Sequence, residues 1–208
     1  MARERIAKAR EGNEIEFSRI VAFSDGVFSI AITLLVLNLV ISHKDLTSGE
    51  VASALWGQRE NFIAYAISFA VIGRFWLVHH RFFSQVTAFD GRLIALNMFY
   101  LGWIVLIPFS SEVLGEHGST TAAVILYAVN LTGVVLIGML MAADARRADL
   151  TSIDLASHGE QRWRSLYIAG VFLLSIPVAL VAPGIAQLMW LALFFDPAAR
   201  FAAAPAGT

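Results

Sequence analysis

The sequence predicts an all-α membrane protein with six transmembrane helices per chain, and three observations carry that prediction. Apolar residues make up 58 % of the 208 and charged ones only 15 %, against about 25 % charged in ordinary soluble domains. Mean hydropathy is +0.69, more than so few charged side chains can shield from water. Several apolar runs approach the ~17–25 residues that cross a bilayer as a helix. A water-soluble helical core does not fit this composition, and the lipid bilayer is the partner it calls for. A net charge of −1 and the lack of a basic face give no sign of nucleic acid. With no Cys, disulfides, thiolate metal sites and cysteine nucleophiles are excluded.

In chain order, residues 1–17 alternate basic and acidic side chains and read as a solvated cytosolic N-terminal tail. Residues 18–201 form one membrane domain, with spans at about 19–41, 61–80, 93–113, 120–143, 165–181 and 185–197, and 202–208 are a C-terminal tail. The first run is too long for a signal peptide and lacks a small-residue cleavage site, so it is expected to remain as an anchor. The polar connection after span one has room for a short interfacial helix around Val51, Leu55 and Trp56. Glu112, Gly115, Glu116 and His117 read as an acidic loop between spans three and four. Pro183-Gly184 reads as a hairpin into a last apolar run, which must tilt, extend past Asp196 or stop short. The basic residues set orientation: Arg3, Arg5, Lys8, Arg10, Arg81, Arg92, Arg146, Arg147, Arg162, Arg164 and Arg200 fall on one side, only Lys44 and Arg59 on the other. Both termini are therefore expected in the cytoplasm, in a plasma (inner) membrane.

Span one contains RIVAFSDGVFSIAITLLVLNL, Arg19 to Leu39. At about 100° per residue, Phe23, Gly26, Ile30, Thr33, Leu34 and Leu37 share one stripe, and Asp25 with Ser29 lies on another side. Such a stripe serves either as a packing face or as the lining of a pore.

Charged residues inside spans are costly and are functional candidates. Asp25 and Arg74 both lie roughly 10 Å from the inner ends of their helices at ~1.5 Å per residue, so they can meet, either as a helix-locking ion pair or in conduction or proton handling. His79 and His80 are read as polar anchors at the end of span two, with a pH-sensitive partnership to Asp25 or Ser24 as the alternative. Asn97, Asn130 and Thr132 are read as polar glue between helices; Trp76, Trp103, Trp163 and Trp190 fit span ends or helix contacts. No GxSxG elbow, phosphate loop or metal-ligand spacing is present. Neither an enzyme nor a metal site is expected.

These residues carry a resemblance. Arg19 followed by Phe23-Ser24-Asp25-Gly26, then FWLVHHR from Phe75 to Arg81 with its Trp-x-x-His, Leu96-Asn97 and the LIPF of Leu106 to Phe109 together resemble the signature of the transmembrane-protein-175 potassium channels, in particular their short prokaryotic members. The resemblance implies a homotetramer whose first helix lines a central pore and which passes potassium, weakly preferred over sodium. It implies a constriction of Ile30, Leu34 and Leu37, a selectivity hydroxyl at Thr33 with the permeant potassium ion near it, and no other cofactor. It also implies a polar network of Arg19, Ser24 and Asp25 bracing the first helix through His80 and Asn97, with Trp76 in the motif. Arg74 departs from the apolar residue expected there, which leaves Asp25's partner open. No TVGYG-like filter is present, so gating is expected at the apolar ring, by dewetting when narrow and conduction when helices rotate or splay. The competing readings are a proton- or cation-coupled secondary transporter, against which the lack of a mid-membrane break in span one argues, and a non-conducting scaffold.

Overall fold

In hydrocarbon a chain must satisfy its own backbone groups, and helices do so locally. The computed structural model describes residues 2–41, 47–151 and 155–194, and every named element among them is helical. These are α1 (Ala2–Leu34), α2 (Ser48–Gly57), α3 (Arg59–Phe83), α4 (Gly91–Val105), α5 (Ile107–His117), α6 (Thr121–Arg147), α7 (Leu155–Ala179) and α8 (Pro183–Met189). Tighter 3-10 turns continue α1 over Leu35–Asn38 and α8 over Trp190–Phe194.

Among the described residues, four stretches are long and apolar enough to cross a membrane: Ile15–Asn38, Arg59–Phe83, Gly91–His117 and Thr121–Arg147. The fifth expected span falls on α7, whose apolar stretch follows Arg162 and Arg164, and Pro183–Leu193 is a shorter apolar helix. The end of the sixth expected span, Arg200 and the 202–208 tail lie outside the described residues, as do Ser42 and Lys44.

Several boundaries differ from expectation for local reasons. The first span is not α-helical to Ile41: it tightens at Leu35, so Leu37 lies on a 3-10 turn. The third span is two helices that meet at Leu106, because Pro108 has no amide to donate and suits only the first turn of α5. The expected acidic loop is the last turn and a half of α5; Gly115 is buried with Asn61 pressed against it, leaving no space for a side chain. Pro183-Gly184 is not a hairpin but the opening turn of α8, the chain reversing before it at Leu180–Ala182.

α6 occupies the centre, packed on α4, α5 and α7, and α1 lies against α3 and α4. Gly133 of α6 admits the Trp103 ring of α4, into which a Cβ would run. Polar groups sew the interior together. Ser68 of α3 donates to Ser111 of α5 at 2.8 Å and lies 2.9 Å from the Tyr127 hydroxyl of α6. Asn130 donates to the Ser110 hydroxyl at 2.9 Å, whereas Thr132, expected to link helices, instead donates to its own Ala128 carbonyl at 2.7 Å. At the arginine-rich end of the bundle, Asp90 caps α4 through the Leu93 amide at 2.8 Å, and Arg92 pairs with the buried Asp144 at 2.9 Å.

Candidate pore helix and its polar brace

Helical periodicity divides α1 into two faces. Ser24, Phe28, Ala31 and Leu35 recur every three to four residues and are essentially fully buried against α3 and α4. The offset set points away from the chain: Ile30 is 58 % and Leu37 65 % exposed, and Phe23, Gly26, Thr33 and Leu34 are exposed beside them. Thr33 turns its hydroxyl back onto the Ile30 carbonyl at 2.9 Å, which leaves its oxygen able to accept a further contact. The apolar stripe therefore has no covering partner among the described residues of its own chain.

The opposite face of α1 is held by two polar contacts. In the first, the Ser24 hydroxyl donates to the Ile20 carbonyl at 2.9 Å and accepts from the Asn97 amide at 3.0 Å. The Asn97 side-chain oxygen then meets His79 Nε2 at 2.9 Å. An amide oxygen only accepts, so Nε2 carries the proton. Helices α1, α4 and α3 are thus joined by one chain of hydrogen bonds, all three side chains buried. The His79 ring is further enclosed by Phe28 at 5.3 Å, Tyr100 at 5.5 Å and Phe83 at 4.6 Å between ring centres. In the second contact, the Trp76 indole donates to the Asp25 carboxylate at 2.8 Å.

One expectation is corrected here, and one partner left open by the sequence is identified. The brace expected through His80 and Asn97 runs through His79 and Asn97; His80 is exposed and stacks on Trp76 at 5.6 Å. The partner of Asp25 is Trp76 and not Arg74. Two positions apart on a helix means about 200° of rotation, so when Trp76 faces α1, Arg74 faces away, exposed, toward α6 and α7. Arg19 is exposed and makes no ion pair among the described residues. Sequence reasoning also missed Phe28 and Tyr100. The signal for His79 was present: Ile72, Phe75, His79 and Phe82 are the buried stripe of α3, and His80 falls off it. No group of three His, Asp or Glu suited to a metal occurs among the described residues.

This arrangement defines a polytopic helical membrane protein whose first helix is clamped on one side and leaves its apolar side uncovered. Over residues 19–108 the chain matches the family model described as the endosomal/lysosomal potassium channel TMEM175. It is similar to a protein of Streptomyces collinus named as a potassium channel, 41 % identical over 102 residues, which are 49 % of each chain. It is 36 % identical over 101 residues to a human protein named as the endosomal/lysosomal proton channel TMEM175, covering 45 % of this chain and 20 % of that one. The crystal structure of a lysosomal potassium-selective channel TMEM175 homologue from Chamaesiphon minutus superposes with a TM-score of 0.72 at 26 % identity, over 91 % of this chain and 99 % of that one. In sequence, the matched region spans about half the length of the curated bacterial relatives.

Proposed function

We propose that four copies of this chain form a passive potassium channel, weakly selective over sodium, with α1 of each copy lining the shared axis. Residues 18–201 then act as one domain of six spans, α7 and the α8 segment supplying the fifth and sixth. Both termini lie in the cytoplasm of a plasma (inner) membrane, an orientation that the distribution of Lys and Arg supports. Ile30, Leu34 and Leu37 form the constriction, which dewets when narrow, and Thr33 presents its hydroxyl oxygen to a potassium ion passing beside it. The single observation that carries this reading is the uncovered apolar stripe of α1, bearing one hydroxyl, in a chain whose residues 19–108 match that family model.

The test is a planar bilayer recording of the purified chain under opposed potassium and sodium gradients. The expected result is unitary currents with a potassium-leaning reversal potential. Thr33→Ala is expected to move that potential toward sodium, and Ile30→Asn to raise leak by wetting the ring. A conductance indifferent to both substitutions removes α1 from the pore. The name of the animal relatives favours proton permeation as the second reading. A reversal potential that follows the pH gradient and ignores potassium selects it.

A further inference from the structure

Between α3 on one side and α6 with α7 on the other, the bundle leaves a groove of about 880 Å³. Six arginines line it, Arg74 and Arg81 from α3, Arg146 and Arg147 from α6, Arg162 and Arg164 from α7, and none of the described lining residues is acidic. Between and beyond them the walls are apolar, with Val78, Val135, Met139 and Ile168. Arg74 lies farther from the end of α3 than Arg81 does. It precedes the end of α3 at Phe83 by nine residues, about 14 Å at 1.5 Å per residue, and it is exposed with no ion pair among the described residues. A bare guanidinium at that depth is costly unless something anionic meets it. Guanidinium groups grip phosphate oxygens in pairs, and basic recesses between helices at the membrane surface suit phospholipid headgroups.

We propose that this groove binds an anionic phospholipid of the surrounding bilayer. Its phosphate sits among Arg74, Arg81, Arg146 and their neighbours, and an acyl chain runs along Val78, Val135 and Met139. A phospholipid accounts for both the arginines and the apolar wall beside them; a free phosphate ion accounts only for the first. The proposal stands on the groove and is independent of conduction, while its placement in the cytoplasmic leaflet rests on the orientation proposed above.

The experiment titrates the full-length chain, purified in a neutral detergent, with phosphatidylglycerol or phosphatidylcholine of identical acyl chains and counts retained lipid by native mass spectrometry. Phosphatidylglycerol is expected to bind more tightly. Each arginine removed is expected to weaken it on the order of fivefold, so Arg74→Gln with Arg81→Gln should lose about 25-fold. Arg59→Gln, on the other side of the membrane, should change nothing. Equal retention of the two lipids, an equal loss in the Arg59 variant, or full displacement by millimolar inorganic phosphate overturns the proposal. If the double variant does not fold, the wild-type preference decides: it must fall as salt rises, and a preference indifferent to salt counts against the arginines. No current is read, so this outcome and that of the bilayer recording are separable.

Discussion

Replacing Asn97 by Leu removes the middle of the Ser24–Asn97–His79 chain while keeping the size of the side chain nearly constant. Two hydrogen bonds between helices are lost, at 3.0 and 2.9 Å. In membrane proteins each such bond is worth about 0.6 kcal/mol on average and up to about 1.7. The His79 N–H is also left buried without an acceptor, which adds a penalty of about 1–3 kcal/mol in ordinary cores. Part of that penalty is relieved because the disordered chain in the membrane finds other partners, so the expected total is about 1–3 kcal/mol. The assay is unfolding of the purified chain in mild detergent by titration with a denaturing one, followed by helical circular dichroism. A double-mutant cycle with His79→Leu isolates the bond, with an expected coupling of about 0.5–1.5 kcal/mol. His80→Leu, exposed and with no side-chain hydrogen bond among the described residues, should stay within about 0.5 kcal/mol of wild type. If His80→Leu costs as much as His79→Leu, or if the Asn97 and His79 effects simply add, the brace described here does not exist.

Three further outcomes follow from other contacts. Trp76→Phe keeps an aromatic ring but removes the indole donor to Asp25, and should cost about 1 kcal/mol in the same unfolding assay; Arg74→Gln should leave that contact untouched. Breaking a fully buried ion pair costs about 3–5 kcal/mol, but Arg92 is 68 % exposed above Asp144, so Arg92→Leu should cost about 1–2 kcal/mol and Arg92→Leu with Asp144→Asn less than that. At the start of α2, the Thr47 hydroxyl and amide both donate to Glu50, holding that carboxyl below its ordinary 4.5. A depressed folded value means the cap is intact above the ordinary carboxylate range and is lost as pH falls through the lowered one; hydrogen exchange at the first turn of α2 should quicken there, and Glu50→Gln should remove the pH dependence.

Composition alone made the helical membrane class legible, because hydrocarbon leaves a chain no cheaper way to satisfy its backbone. The two faces of α1 were legible for the same reason that any amphipathic stripe is: Ile30, Thr33, Leu34 and Leu37 obey the helical period, and so do the residues they leave behind. Periodicity says which residues share a face but not which face meets the rest of the chain, and that had to come from the packing of Phe28 and Leu35. The brace was half legible. Ser24, Asp25, Trp76 and Asn97 were named as polar groups in the bundle, yet partners depend on rotation about α3, where one residue is ~100°. That step separates His79 from His80, and two such steps separate Arg74 from Trp76. The Trp-x-x-His spacing already ends on His79, so the buried stripe of α3 and the motif agreed. The break at Leu106 was signalled by Pro108, whereas the continuation of α5 to His117 was hidden behind residues that look like a loop.

The clamps on α1 constrain how any constriction built on it can widen. At one end Ser24 and Asp25 are tied to Asn97 and Trp76; at the other Asn38 donates to the Pro108 carbonyl at 3.2 Å, with Leu35 buried beside it. These points are fourteen residues apart, about 20 Å at the helical rise, and Ile30, Thr33 and Leu34 lie between them. Turning α1 on its own axis to withdraw Ile30 drags Phe28 and Leu35 out of the core, and losing Phe28 from a core alone costs about 3–5 kcal/mol. Tilting the whole protomer moves the same side chains and breaks none of these contacts. In the proposed tetramer, spin labels at position 30 of opposite copies should therefore change separation between closed and conducting conditions, while a label pair at positions 30 and 106 of one copy keeps its distance. A fixed separation across the axis with a changing one inside the copy shows that α1 rotates alone, and then the Ser24 and Asn38 contacts do not hold it.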